Sequence, residues 1–260
     1  MIKLLKADFF RIKKSKLTLI ILIIAVVLPL LTSLMYLGIN SLPGLEENPL
    51  GNIFVGKTII GGSYSISNNF GLVLVIFSAI FVGMDLSNGT LRNKIIAGND
   101  RVKIYFSHLI TSTIFNTVLI SIYTLCTTLF TLLFFDYGVK LDSKETLAIV
   151  YFVLTGTLTF IFIASVSTFF ALVTKSQTAT ILFTILVCIV FSIITTVLQV
   201  SLTDDFKNIA YFIPTFTNTL FVYGINMTTK MFIEGILSYL IFGGLITFLG
   251  VYLFKEQDLK

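Results

Sequence analysis

Gly51-Asn52-Ile53-Phe54-Val55-Gly56-Lys57-Thr58 matches the Walker A pattern of phosphate-binding loops letter for letter. Such a loop needs a buried strand before it and a helix after it, so that backbone N–H groups converge on the phosphates. Here Glu46-Glu47-Asn48-Pro49 precedes the octet, and bulky Ile53, Phe54 and Val55 would crowd a nucleotide, so the match reads as coincidence. Glu46 and Glu47 have a likeness to the paired glutamates of intramembrane proteases, but no Arg follows at short spacing and no histidines stand deep in the apolar runs. His108 is the one histidine and opens an apolar run, where a hydrogen-bonded interfacial ring is expected rather than a catalytic one. Cys126 and Cys188 both lie inside apolar runs, which suits small buried hydrophobes better than a disulfide or a metal pair. Glu234 is the one ionisable group expected at membrane depth. No catalytic, cofactor-binding or metal-binding residue is assigned, and the chain is not expected to be an enzyme.

A different pattern marks Asp85 to His108, a long polar interruption between the uncharged runs Thr58–Met84 and Ile104–Phe135. Its basic residues Arg92, Lys94, Arg101 and Lys103 outnumber Asp85 and Asp100, which places it on the cytoplasmic face by the positive-inside rule. Gly89-Thr90 followed by Leu91, Ile95 and Ile96 reads as a short helix with an apolar face, and Ala97-Gly98-Asn99-Asp100 reads as its stop. A short surface helix held between two membrane helices is a shape for touching a partner.

The elements that would position this loop are membrane helices. Of 260 residues, 56% are hydrophobic and 12% charged, with a mean hydropathy of +0.98, against roughly 25% charged in soluble domains. That composition predicts an all-α polytopic membrane protein, a single domain over 1–260. The net charge of +5 follows topology rather than nucleic-acid binding, and no nucleic acid is expected as a partner. With 26 Phe, 10 Tyr and no Trp, Tyr36, Tyr64, Tyr105, Tyr137 and Tyr252 are expected to form the interfacial belts.

In chain order, Met1–Lys16 carries Ile2, Leu5, Phe9 and Ile12 on one helical stripe, with Lys3, Arg11, Lys13 and Lys14 off it. This predicts a helix lying in the interface with its basic side chains toward anionic lipid headgroups. Leu17–Leu37 is long enough for a full span, and no small-x-small cleavage site follows it cleanly, so an uncleaved first helix is expected rather than a signal peptide. Further spans are expected at Phe70–Met84, Phe106–Phe135, Thr146–Val173, Ala179–Val200 and Phe232–Phe254, with Lys175 at a tight turn. Residues 201–230 include the uncharged window Asn208–Thr229, whose Pro214, Asn218 and Asn226 suit outer-face helices dipping into the membrane better than a seventh span. In this six-span scheme 13 of the 18 Lys and Arg lie in segments on one side and 5 on the other, which puts both termini in the cytoplasm of a multi-pass bacterial plasma-membrane protein.

An acidic residue at a membrane exit, then Gly-Thr-Leu, a basic residue, paired aliphatics, a Gly turn and Arg101 resembles the permease subunits of type-2 ATP-binding-cassette (ABC) exporters. The likeness extends to the span count and the N-terminal segment. It implies an elbow helix over 1–16, a coupling helix in the cytoplasmic loop 85–107 that sits in a groove of an ATPase subunit, and an outer helical hairpin over 201–230. Asp85, Gly89, Thr90, Leu91, Arg92, Lys94, Ile95, Ile96 and Arg101 are then the ATPase-coupling set. Leu91 and Ile95 would be apolar anchors, Arg92 and Lys94 charges at the rim, and Asp85 and Arg101 the frame of the helix. The implied partners are ABC ATPase subunits, which hold ATP and Mg, a second permease subunit in a homodimer or heterodimer, and membrane lipids. The implied cargo is amphipathic or hydrophobic, similar to antimicrobial or bacteriocin-like peptides, with resistance or immunity as the purpose. A secondary transporter, or a membrane assembly protein without transport, is the alternative.

Overall fold

In the computed structural model, residues 1–41, 56–66, 69–201, 210–217, 220 and 227–257 are described. Helices α1 (Ile2–Lys14), α2 (Lys16–Asn40), α3 (Gly56–Gly62), α4 (Asn69–Ser87), α5 (Thr90–Ile96), α6 (Arg101–Phe134), α7 (Ser143–Thr174), α8 (Gln177–Ser201) and α9 (Thr229–Glu256) follow one another, and no strand occurs among the described residues. Six of them, α2, α4, α6, α7, α8 and α9, are long and apolar enough to cross a membrane. Each begins or ends within a few residues of its expected span, with one exception that bears on the site. Asp100 caps α6 by accepting from the Val102 N–H at 3.1 Å, so the helix starts at Arg101 and absorbs the end of the polar loop.

Helices α4 and α7 form the middle of the bundle. Their apolar windows are 61% and 50% buried, against 17–33% for the other four spans, so those four leave most of their surface uncovered by this chain. Packing of α9 on α7, α2 on α6 and α8 on α4 completes the arrangement. Where α4, α6 and α7 meet, small hydroxyls bring the backbones together. Ser78 Oγ lies 3.0 Å from Ser112 Oγ and 2.8 Å from Ser167 Oγ, and Asn116 Nδ2 donates to Ser78 at 3.2 Å. Small polar residues commonly hold membrane helices together where hydrophobic burial supplies no preference over lipid. Only Lys175 and Ser176 separate α7 from α8, and Lys175 takes the left-handed conformation (φ 54°) that the tight turn requires.

Several expectations need correction. Tyr64 and Tyr105 are not belt residues. Tyr64 stands edge-on to Phe152 inside the bundle, and Tyr105 is fully buried, whereas Tyr252 is exposed. Glu234 is not the one ionisable group within the spans, because Asp85, His108 and Glu145 are all buried in them. Cys126 and Cys188 are both free, the latter buried. Of the segment 201–230, Ala210, Tyr211, Phe216 and Leu220 pack together, and the Thr215 N–H donates to Tyr239 Oη at 3.1 Å. Residues 202–209, 218–219 and 221–226 of the expected hairpin lie outside the described residues, as do residues 51–55 of the Walker-like octet and Glu46-Glu47.

The lysine of that octet, Lys57, has its partners inside the bundle. It sits in the first turn of α3 at the end of the bundle opposite α5, where its Nζ lies 2.9 Å from Glu145 Oε1 and 3.1 Å from Oε2. Tyr137 Oη donates to the same carboxylate at 2.8 Å, and the Lys57 N–H donates to the Tyr137 carbonyl at 3.1 Å. Burial and the neighbouring Glu145 push the Tyr137 phenol up, so it remains a donor. The ammonium of Lys57 is thus committed inside the protein rather than offered to a phosphate.

Candidate functional site

Helix α5 is built as its sequence suggests. Gly89 at the N-cap adopts φ 65°, a conformation that costs glycine nothing and most residues strain, and Ala97-Gly98 ends the helix with Gly98 at φ 79°. Thr90 fastens the entry, its Oγ1 donating to Asp85 Oδ1 at 2.6 Å.

Which side of α5 faces the bundle differs from expectation. Leu91 is buried in a cluster with Leu4, Ile104, Tyr105, Leu172 and Phe254, and Ile95 packs against that cluster. Leu91 is thus turned inward within this chain, whereas Ile95 keeps part of its surface exposed. Lys94 is no rim charge. Its Nζ reaches Asp85 Oδ2 at 2.6 Å and Asp8 Oδ1 at 2.8 Å, with its side chain only 14% exposed. The helix repeat explains this, since positions 91, 94 and 95 share one face and 92, 93 and 96 the other. Arg92 and Asn93 are exposed, and Ile96 is 72% exposed.

Beneath α5 lies a buried charge network drawn from four helices. Asp85, in the last turn of α4, pairs with Lys94 of α5, with Arg11 of α1 and with His108 of α6, whose Nε2 is 2.9 Å away. Asp8 of α1 accepts from Lys94 and from Ser107 Oγ at 2.8 Å each. The Arg11 guanidinium also stands over the Phe81 ring, 4.5 Å from its centroid. Burial alone would push the Asp8 carboxyl up, but His108, Lys94 and the Ser107 hydroxyl together hold it below its ordinary 3.8. Burial pulls the Lys94 ammonium down, with Asp8 acting against that pull. Asp8, Asp85 and His108 bring possible metal-ligand atoms within 4.8 Å of one another. Arg11 and Lys94 already neutralise the two carboxylates, so a divalent cation would have to displace them and the site fits a charge network better than a metal centre.

The fold places Arg101 as a clamp. Its guanidinium donates to the carbonyls of Phe254 at 3.3 Å, Lys255 at 3.1 Å and Gln257, the orphan acceptors at the end of α9. Gln257 in turn donates to the Val173 carbonyl at 2.9 Å, near the end of α7. The ends of α7 and α9 at this pole of the molecule are therefore tied, directly or through one neighbour, to the segment 85–101.

A family model described as ABC-2 family transporter protein matches residues 4–192 of the chain. The chain belongs to the ABC-2 transporter family. It is accordingly an ABC-2 type permease, a multi-pass membrane component of a kind that associates with an ABC ATPase. No curated protein matches it. The matched region contains α4, α5, α6 and nearly all of α1, and so every residue of the charge network. Sequence reasoning missed Asp8, Arg11, Ser107 and His108 as members. One signal was present, for Asp8 is the sole acidic residue among the first 16 and falls four residues from both Leu4 and Ile12, the other two buried residues of α1. The buried stripe is thus Leu4, Asp8 and Ile12, not Ile2, Leu5, Phe9 and Ile12.

Proposed function

We propose that this permease is the transmembrane subunit of an ABC exporter in the plasma membrane, with α5 as the element that receives the motion of a separate ATPase. The observation that carries this reading is the two-sided character of α5. Its outward face offers Arg92, Asn93 and Ile96, and its inward face is locked to α1, α4 and α6 through Leu91, Ile95 and Lys94. A push on the outward face would pass to three helices without bending a loop, which is what transmission between distant sites requires. The basic pole would then face the cytoplasm, and two permease subunits would present two such helices to paired ATPases. ATP and Mg belong to the ATPase.

An apolar groove of about 500 Å³ between α6, α7 and α9, lined by Phe106, Phe162, Tyr239, Gly243 and Phe248 among others, supports a hydrophobic or amphipathic cargo, with antimicrobial or bacteriocin-like peptides as the class to screen first.

Affinity capture of the tagged full chain from its native membrane tests the reading. An ABC ATPase should co-purify, and Ile96→Asp combined with Arg92→Glu should cut its recovery at least about tenfold, since interface energy concentrates in a few central contacts. Membrane insertion of the permease should be unchanged, because both side chains point away from it. Full recovery with the double variant would remove α5 as the docking element, and absence of any ATPase from the wild-type capture would remove the exporter reading itself.

A further inference from the structure

Helix α1 has a second face that the charge network does not use. Lys3, Lys6, Lys13 and Lys14 are all exposed, interleaved with Ile2, Phe9 and Phe10 at 71%, 36% and 64% exposure. The face carries no acidic residue, because Asp8 is turned inward. Its level is fixed by its partners: Asp85 lies in the last turn of α4, and Ser107 lies in the second turn of α6. The backbone turns extended at Ser15 (ψ 129°), so α1 is a helix separate from the α2 span rather than its extension. Lysines alternating with aromatic and aliphatic side chains, at the level where spans end, suit a bilayer surface. A soluble anion would satisfy the lysines but leave Phe9, Phe10 and Ile2 in water, whereas a headgroup layer takes both.

We propose that the outward face of α1 binds anionic lipid headgroups, and that this binding holds Asp8 in place against α5 and Arg11 against α4, so that headgroup charge regulates coupling. The regulatory half rests on the reading of α5 as the coupling helix. The 13 residues of α1 form one continuous helix, so lipid contact on one side and the Asp8–Lys94 and Arg11–Asp85 pairs on the other belong to a single rigid body. Neutral lipid leaves only the inner contacts to seat it. Each lysine close to an anionic surface adds about fivefold to the preference for that surface.

The chain has no tryptophan, so Phe10→Trp supplies a single tryptophan, excited apart from the ten tyrosines, in the full-length protein. In nanodiscs, brominated phosphatidylglycerol diluted into phosphatidylcholine should quench it at least about fivefold more effectively than brominated phosphatidylcholine at equal fraction. Lys3, Lys6, Lys13 and Lys14 changed together to Gln should erase that difference. Amide exchange over residues 90–96, measured in the Phe10 protein, should slow when phosphatidylglycerol is added. That response should vanish in the quadruple variant and shrink in Asp8→Asn, which cuts the ion pair between α1 and α5 while leaving the lysines and the Arg11–Asp85 pair. If Asp8→Asn fails to insert, Lys94→Gln cuts the same link from the α5 side. Equal quenching by the two lipids, or exchange over 90–96 that ignores headgroup charge in the wild type, overturns the proposal. Neither measurement contains an ATPase, so failure of ATPase capture and failure of lipid control are separately visible.

Discussion

Two residues illustrate how a charge inside this protein is kept. Lys57 and Glu145 are both almost wholly buried, and Glu145 is also bonded by Tyr137. Removing one member of such a pair strands the other, which typically costs about 3–5 kcal/mol, whereas removing both is far milder. Lys57→Met should therefore lower the thermal stability of the purified permease sharply, and Lys57→Met with Glu145→Gln should regain most of the loss. If the double variant is no better than the single, the pair is not what holds α3 to α7. At the other pole Asp8 behaves differently with pH. Its folded-state pKa lies below the ordinary 3.8, so its stabilising contribution is complete above that value and disappears as pH falls through the lower folded value. Wild-type melting temperature should thus fall more steeply below about pH 4 than that of Asp8→Asn. Neither Asp8 nor Lys57 was legible as a partner from sequence, because each pairs across at least 86 positions with a residue that no local spacing relates to it.

At the scale of elements, the existence of α5 was readable and its orientation was not. Gly89 and the Ala97-Gly98 stop encode the ends of the helix, and they are local signals. Which face turns inward is decided by Asp85 and Asp8, which draw Lys94 in and carry Leu91 with it; a pattern with aliphatics at 91, 95 and 96 is compatible with either answer. The start of α1 misled for the same reason, since Ile2 and Phe9 of its apolar stripe face outward and its buried stripe contains an acid. Helix α9 is held to this pole by close approach as well as by Arg101. A Cβ built on Gly250 would overlap the Tyr105 hydroxyl and ring, so only glycine lets α6 and α9 meet there. Gly250→Ala should destabilise the permease by roughly 1–3 kcal/mol, the usual range for overpacking, and amide exchange at the end of α9 should quicken. Tyr105→Leu in the same chain should relieve the strain; no relief would mean that the contact between the two helices is looser than the structure has it.

For the molecule as a whole, span positions were the most legible feature, because about 20 apolar residues in a row have few other uses and each helix satisfies its own backbone. Sidedness was legible only as a statistical bias in Lys and Arg, and the structure adds a physical argument to it. Six spans put α1 and the end of α9 at one pole, together with α5, and the contacts of Arg101 with the carbonyls at 254, 255 and 257 require that co-location. Lys140 and Lys144 stand near the opposite pole, in the region of the Lys57–Glu145 pair. Whichever side one pole faces, the segments 1–16 and 85–101 must face it together with the C-terminal end of α9, and 135–142 must face the other. With 11 of the 18 basic residues in 1–16, 85–101 and 255–260, that pole should be cytoplasmic. Reporters placed after Lys260 and between Asn88 and Gly89 should therefore both report cytoplasm, and one placed between Lys140 and Leu141 should report the outside. Opposite sidedness of the first two would break the six-span arrangement itself, whereas a joint inversion of all three would keep the fold and exclude an ATPase docked on α5.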